Sequence, residues 1–230
     1  MGAYYGYMIV AGILSLVGAF VSRRLKSKFQ HYSQVRLNAG LSGREVAEQM
    51  LRHYGITNVK IVEGQGFLTD HYNPVSKTVS LSPGVYRGES VASAAVAAHE
   101  CGHAVQHAQA YSMLQLRSAL VPVVNISARA QQFLLIIAFL TLSTMPSIML
   151  ITIIAFAVTT LFSFVTLPVE FDASKRALAW LDRSGVAQGQ NYAGAKDALW
   201  WAAMTYVASA LSALVMLLYL VLRYSAASRN

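Results

Sequence analysis

The sequence has 230 residues, of which 55% are hydrophobic and only 12% are charged, and its formal net charge is +8. Because soluble domains carry about 25% charged residues, this composition indicates a membrane protein and excludes an ordinary soluble enzyme. The basic residues do not indicate nucleic-acid binding, since no recognisable nucleic-acid module interleaves them with aromatics. A single cysteine, Cys101, excludes an intramolecular disulfide and fits a reducing compartment.

An uncharged, mostly apolar segment at residues 3–22 is long enough for one membrane-spanning helix, which needs about 20 residues. A cluster of basic residues follows it directly, at Arg23, Arg24, Lys26 and Lys28. Positive charge on the C-terminal side of a first span predicts that the N-terminus lies outside.

Residues 41–88 are predicted to form structure outside the membrane. Ser42 and Glu45 have the spacing of a capping box, which predicts the start of a helix, and Gly55 is placed to end it. After this helix we expect a short strand at 59–62, a turn-rich segment at 70–74 and a second short strand at 78–81.

An alanine-rich stretch at 90–109 predicts one helix, and it contains an H-E-x-x-H motif at residues 99–103. On a helix the two histidines of this motif share a face, so both imidazoles can bind one zinc ion. The glutamate between them can reach a water molecule on the metal. We therefore predict that His99 and His103 are zinc ligands and that Glu100 is the general base. A surface helix with two unrelated histidines is the alternative.

Two known arrangements of this motif are excluded. The metzincin pattern has a third histidine where this chain has Gln109. Intramembrane site-2 proteases place the motif inside an apolar span and take an aspartate from another span, but the helix around His99 is polar and no later span contains an aspartate. His107 lies one turn beyond His103, and it either supports the site, faces substrate or is simply solvated.

A catalytic zinc needs a third protein ligand. Glu170 is the only glutamate after Glu100, and it follows an apolar segment that returns the chain to the catalytic side. We predict that Glu170 is the third ligand, in a helix that begins at Pro168. A purely electrostatic role for Glu170 in the first turn of that helix is the alternative, and Asp172 is the fallback ligand.

The remaining apolar segments predict three further spans. Residues 133–167 carry no charge. This uncharged segment is too long for one span and too short for two full ones, so it predicts a helical hairpin over 120–167. A last span is expected at 200–222, with Trp200 and Trp201 at the interface.

The basic residues also predict how the spans are oriented. Sixteen of the 18 lysines and arginines lie between Arg23 and Lys196. Four spans place all of these residues on one side of the membrane. This asymmetry predicts that the catalytic side is cytoplasmic and that both termini lie outside.

Three stretches resemble the membrane-bound zinc metallopeptidases called YugP-like, or neutral zinc metallopeptidases. They are LTDHYNP at 68–74, AHECGHAVQ at 98–106 and LPVEFDAS at 167–174. The resemblance implies a peptidase fold related to HtpX and the CAAX prenyl proteases, in which a membrane hairpin separates the zinc helix from a ligand glutamate in an E-x-x-x-D pattern. Glu170 matches that glutamate, whereas Ser174 stands where the aspartate would be.

Together these inferences predict a polytopic membrane protein of mainly α-helical α+β class, with about four membrane helices and a zincin-type, gluzincin-like peptidase domain. The first span is expected at 3–22, and a cytosolic peptidase domain at 23–119 with its zinc helix at 90–109. A membrane hairpin is expected at 120–167, a cytosolic segment with the third ligand at 168–199 and a last span at 200–222.

The predicted function is zinc-dependent hydrolysis of peptide bonds in membrane or membrane-associated proteins. Zn²⁺ is the expected cofactor, and the expected partners are peptide or protein substrates and the lipid bilayer. The strand before the zinc helix is expected to pair with an extended substrate. A membrane zinc sensor or carrier is an alternative. It would need metal ligands within the spans, and residues 133–167 contain no histidine or acid. A scaffold that retains the site without the activity is a second alternative. The presence of Glu100, the predicted base, gives no support for a loss of activity.

Overall fold

The computed structural model of the protein describes residues 2–142 and 144–227. These residues form seven α-helices and three short β-strands. In chain order they are α1 (Gly2–Ser33), α2 (Gly43–His53), β1 (Lys60–Glu63), β2 (His71–Asn73), β3 (Thr78–Leu81), α3 (Pro83–Tyr86), α4 (Val91–Ala108), α5 (Ser112–Leu140), α6 (Pro146–Arg183) and α7 (Gln190–Ala227).

The chain divides into two compact units. The membrane unit comprises Met1–Val21, Leu116–Leu167 and Thr205–Asn230, and the α/β unit comprises Ser22–Gln115 and Pro168–Met204. Helices α1, α5, α6 and α7 each contribute residues to both units, so the chain passes between them within continuous helices.

The membrane unit is built from four helices, α1, α5, α6 and α7, which are long and apolar enough to cross a membrane. Their large apolar side chains are mostly exposed, as at Leu16 (73%), Phe133 (71%) and Leu140 (78%). An apolar surface of this kind is unfavourable in water and matches the hydrocarbon of a bilayer. Among the described residues four helices are candidate membrane spans by length and composition, which is the number that the sequence predicts.

The helices extend beyond the predicted spans. Helix α1 continues through the basic cluster to Ser33, α5 begins at Ser112, and α7 begins at Gln190. The prediction that a new helix begins at Pro168 is wrong, because Pro168 lies inside the unbroken helix α6. Proline removes one helical hydrogen bond and is nevertheless tolerated within membrane helices, where neighbouring groups compensate.

Helix α4 forms the centre of the α/β unit, and most of its residues are buried. Small alanine side chains along α4 allow α2 to pack closely against it. The capping box of α2 is confirmed, because the Ser42 hydroxyl accepts a hydrogen bond from the Glu45 backbone and the Glu45 carboxylate accepts one from the Ser42 backbone at 2.8 Å. Gly55 follows the end of α2 with a φ of +68°, a conformation that favours glycine.

The three strands form one small sheet in the order β1-β3-β2. Strand β3 is parallel to β1 and antiparallel to β2. The prediction that the strand before the zinc helix pairs with substrate is wrong, because β3 is the central strand and both of its edges are already paired. Strand β2, which was expected to be a turn, is an edge strand and lies against α4.

Candidate metal centre

The two histidines of the motif lie side by side on α4. Residues four apart on a helix share a face, and the ring centroids of His99 and His103 are 4.8 Å apart. The helix that carries them is fixed at its start by Ser90, whose hydroxyl accepts a hydrogen bond from the Ser93 backbone at 3.1 Å. Because α4 is buried on most sides, both imidazoles are held in one place relative to the rest of the unit.

Helix α6 brings Glu170 to these histidines. One carboxylate oxygen, Oε2, lies 3.2 Å from His99 Nε2 and 3.4 Å from His103 Nε2. The ligand atoms of the three residues all lie within 4.8 Å of one another. Two imidazole nitrogens and one carboxylate oxygen are a donor set that catalytic zinc sites use, with a further position left open. The residues present therefore fit a zinc ion.

The contact between α4 and α6 depends on a glycine inside the motif. A Cβ atom added at Gly102 would lie 2.6 Å from the backbone oxygen of Ala173, which is closer than real Cβ contacts. Only glycine allows the two helices to approach this closely. Since Ala173 is three residues from Glu170 on α6, the same approach brings the Glu170 carboxylate within reach of the histidines.

A buried glutamine orients His103 from behind. Gln106 is completely buried, and its amide nitrogen donates to the backbone oxygen of Val169 and to the Asp172 carboxylate, both at 2.8 Å. These bonds direct the amide oxygen toward His103, where Oε1 lies 3.0 Å from Nδ1. With its proton on Nδ1, the imidazole would have Nε2 free to bind a metal ion.

The other imidazole has a hydroxyl partner. The Ser174 oxygen lies 3.1 Å from His99 Nδ1. Ser174 is buried and is four residues after Glu170 on α6, so one face of this helix supplies both a candidate ligand and the partner of another ligand. A neutral hydroxyl thus occupies the place where the resemblance implied an aspartate.

The buried carboxylate of the site is kept in its ionised form. Burial disfavours the ionised form of Glu170, but its hydrogen bonds to His103 and His99 outweigh that effect and hold the pKa of Glu170 well below its usual range. Burial likewise opposes protonation of His103, but the hydrogen bond to Glu170 outweighs it and raises the pKa of His103. The Glu170 carboxylate is therefore kept ionised, the form that binds metal.

Glu100 lies next to His99 and takes no part in the cluster of three donors. It is buried, with 8% of its surface exposed. Among the residues that the structure describes, none donates a hydrogen bond to its carboxylate. Both oxygens therefore remain available to a water molecule or to a substrate.

Four other residues singled out in the sequence have defined contacts. Asp172 accepts hydrogen bonds from Gln106 and Arg176 and is outside the donor cluster. His107 Nδ1 lies 2.8 Å from the Tyr72 hydroxyl, which links α4 to the edge strand β2.

Asp70 accepts hydrogen bonds from the backbone and the hydroxyl of Ser82. Cys101 is fully buried and burial raises the pKa of its thiol, in agreement with a packed rather than a reactive residue.

The donor cluster and the four apolar helices define a membrane protein with a candidate zinc centre. The family model described as "Putative neutral zinc metallopeptidase" matches residues 7–225, so the chain belongs to this family. The "Putative membrane protease YugP" of Bacillus subtilis (strain 168) is 39% identical over 201 residues, which cover 86% of this chain and 88% of that relative. No solved structure matches the chain. Zinc is the cofactor, as the family and the donor set agree.

Proposed function

We propose that the protein is a zinc-dependent endopeptidase that cleaves membrane or membrane-associated proteins. The observation that carries the proposal is the convergence of His99, His103 and Glu170 within 4.8 Å, with Glu100 at the adjoining position on α4. Three protein ligands with a carboxylate beside them are what zinc-dependent peptide hydrolysis requires.

Each residue has its own task in this mechanism. His99, His103 and Glu170 would hold the zinc, which would supply a water molecule with a pKa of about 7 and a positive charge beside the substrate carbonyl. Glu100 accepts the proton as the water attacks the peptide carbonyl and delivers it to the leaving amine. Gln106 and Ser174 keep the two imidazole rings in their metal-binding orientation.

The edge strand β2 is the best-placed element to hold an extended peptide. It lies against α4 and pairs with β3 along one edge, and the described residues supply no strand for its other edge. Backbone groups on an open edge can pair with an added strand. Tyr72 on β2 and His107 on α4, joined by their hydrogen bond, would border such a peptide on the side of the metal centre.

The position of Glu170 supports a substrate in the membrane. Helix α6 is uncharged from its start to Val169, and Glu170 is the next residue. This adjacency in the chain favours a metal centre near the membrane surface, from which it would reach the flanking segments of membrane proteins. The excess of basic residues between the first and last spans supports a cytoplasmic active site, with both termini outside.

Comparison of cleaved proteins in native membranes tests this function. Membranes from cells with the parent protein are compared with those from cells carrying Glu100→Gln, and new protein N-termini are mapped by mass spectrometry. We expect some N-termini in cytosolic flanks of membrane proteins to be present with the parent and missing with Glu100→Gln. The control Glu48→Gln, at a partly exposed residue of α2 that pairs with Arg44, should keep them. Identical sets of N-termini with all three proteins would contradict the proposal and would favour a zinc sensor or scaffold.

A further inference from the structure

A groove lies between α6 and α7 within the α/β unit, apart from the metal-binding atoms. Its volume is about 310 Å³, and its lining combines apolar and aromatic side chains with two lysines. The lining residues that bear on its ligand are Phe171, Lys175, Leu178, Lys196, Leu199 and Trp200. The candidate site is therefore amphipathic, with positive charge beside an apolar wall.

The positive charge of the groove is not neutralised by the protein. Lys175 and Lys196 have no ion-pair partner among the described residues, and no acidic residue lines the groove. Asp197 is adjacent to Lys196 in the chain, but its carboxylate is bound to the Lys28 ammonium at 2.7 Å and to the Tyr32 hydroxyl at 2.8 Å. The two lysines are thus available to an anionic ligand.

The two lysines of the groove lie just beyond the uncharged parts of α6 and α7. The uncharged part of α6 ends at Val169, and the uncharged part of α7 begins at Ala198. At 1.5 Å per helical residue, Lys175 and Lys196 lie roughly 9 Å and 3 Å beyond these limits along their helices. Trp200 is 55% exposed, and tryptophan side chains prefer the level of lipid headgroups.

We propose that this groove binds one anionic phospholipid. Its phosphate lies between Lys175 and Lys196, and the upper part of its acyl chains packs on Phe171 and Trp200. Charge complementarity selects an anionic headgroup, as basic pockets between membrane helices do, and the apolar wall selects a lipid over a free phosphate. Neither feature depends on peptidase activity, so this site and the proposed function are tested separately.

The lipid site also touches the metal centre through one side chain. Ser174 lines the groove, and its hydroxyl is the partner of His99 Nδ1. A bound lipid therefore lies next to the residue that orients a zinc ligand.

Quenching of Trp200 fluorescence by brominated lipids tests the proposal on the full-length protein in detergent. Brominated phosphatidylglycerol is compared with brominated phosphatidylcholine in Glu100→Gln protein, so that proteolysis plays no part. We expect the anionic lipid to quench at a concentration about tenfold lower, the scale of effect expected from two lysines near an anionic ligand. Trp180 and Trp201 still emit in Trp200→Phe protein, so this variant should lose the preferential quenching by the anionic lipid rather than all quenching.

Charge variants separate the groove from the general surface. The double variant Lys175→Gln with Lys196→Gln should lose the preference for the anionic lipid, whereas the corresponding double change to arginine should keep it. Lys26→Gln, an exposed lysine just beyond the first span, is the matched control and should keep the preference. Equal quenching by both lipids, a preference that survives the double glutamine variant, or an equal loss with Lys26→Gln would overturn the proposal. Complete displacement of the lipid by an equal concentration of soluble glycerol phosphate would also overturn it.

Discussion

His103 and Gln106 are joined by a 3.0 Å hydrogen bond from the imidazole Nδ1 to the amide oxygen. The partner of this histidine is itself held by two further bonds, to the Val169 backbone and to the Asp172 carboxylate on α6. The glutamine therefore connects the helix that carries both candidate histidine ligands to the helix that carries Glu170. One buried side chain therefore links the orientation of His103 to the contact between α4 and α6.

Replacing Gln106 should weaken zinc binding without removing a ligand. Gln106→Leu removes the acceptor of His103 and leaves Asp172 without one of its donors, so zinc affinity should fall about 10- to 100-fold, the usual effect of losing such a partner. Competition with a chelator of known zinc affinity measures the change. Gln49→Leu, an exposed change on α2, is the control and should bind zinc as the parent does. Equal zinc affinities in all three proteins would show that Gln106 has no positioning role.

Gly102→Ala tests the close approach of α4 and α6. The added Cβ would lie 2.6 Å from the Ala173 oxygen, so the helices must separate, which should reduce the free energy of unfolding by about 1–3 kcal/mol. Because the separation also moves Glu170, zinc binding should weaken. Thermal unfolding and zinc content of the purified protein measure both effects. Gly84→Ala, where a Cβ would meet no atom within 4 Å, should change neither; an equally silent Gly102→Ala would contradict the packing argument.

The local features of the site could be predicted from the sequence because they depend on residues close together in the chain. The capping box at Ser42 and Glu45 and the shared face of His99 and His103 follow from helical spacing alone. Glu170 is 71 residues from His99, and its prediction depended on the small number of acids after the motif, on the apolar segment that precedes it and on the family resemblance.

The features that the sequence analysis missed depend on packing between distant segments. The role of Gln106 requires α6 to lie against α4, and the only local signal was a further polar residue three positions after His103. Pro168 has the character of a helix start, but packing and the apolar surroundings carry the helix through it. Strand β2 contains too few residues for an alternating pattern, so its turn-forming residues dominated the interpretation.

The ion pair between Lys28 on α1 and Asp197 on α7 should make the free energy of unfolding depend on pH. Burial opposes ionisation of Asp197, but the hydrogen bonds from Lys28 and Tyr32 outweigh it and lower the pKa of Asp197. A carboxylate whose pKa is lower in the folded state than in the unfolded state stabilises the fold above about pH 4, and this contribution is lost as the pH falls through the folded pKa.

Asp197→Asn tests this dependence. The parent should unfold at a higher temperature than Asp197→Asn at pH 6, and the difference should shrink as the pH is lowered below about 4, where the carboxylate becomes protonated. Asp182→Asn, an exposed change on α6, should show no such pattern. A difference that persists unchanged at low pH would show that the Asp197 charge is not the cause.

Reporter fusions test the proposed orientation. The excess of basic residues between the first and last spans favours a cytoplasmic location for this side of the protein, so a reporter fused after Arg87 is expected to be active as a cytoplasmic protein. A reporter fused at the C-terminus should be active only as an external one. The opposite pattern would place the candidate metal centre outside the cytoplasm and would change the class of substrate.

Zinc content and peptide hydrolysis, measured together on variants of the two glutamates, test the central claim most directly. Glu100→Gln keeps its shape but cannot accept a proton, so it should bind zinc nearly as the parent does and lose about a hundredfold or more in hydrolysis. Glu170→Ala should lose zinc, and excess zinc should restore part of its activity. Asp182→Ala, on the exposed side of α6, should match the parent, whereas Asp172→Ala is unsuitable as a control because Asp172 holds Gln106. Loss of zinc in Glu100→Gln with retention in Glu170→Ala would contradict the assignment of base and ligand.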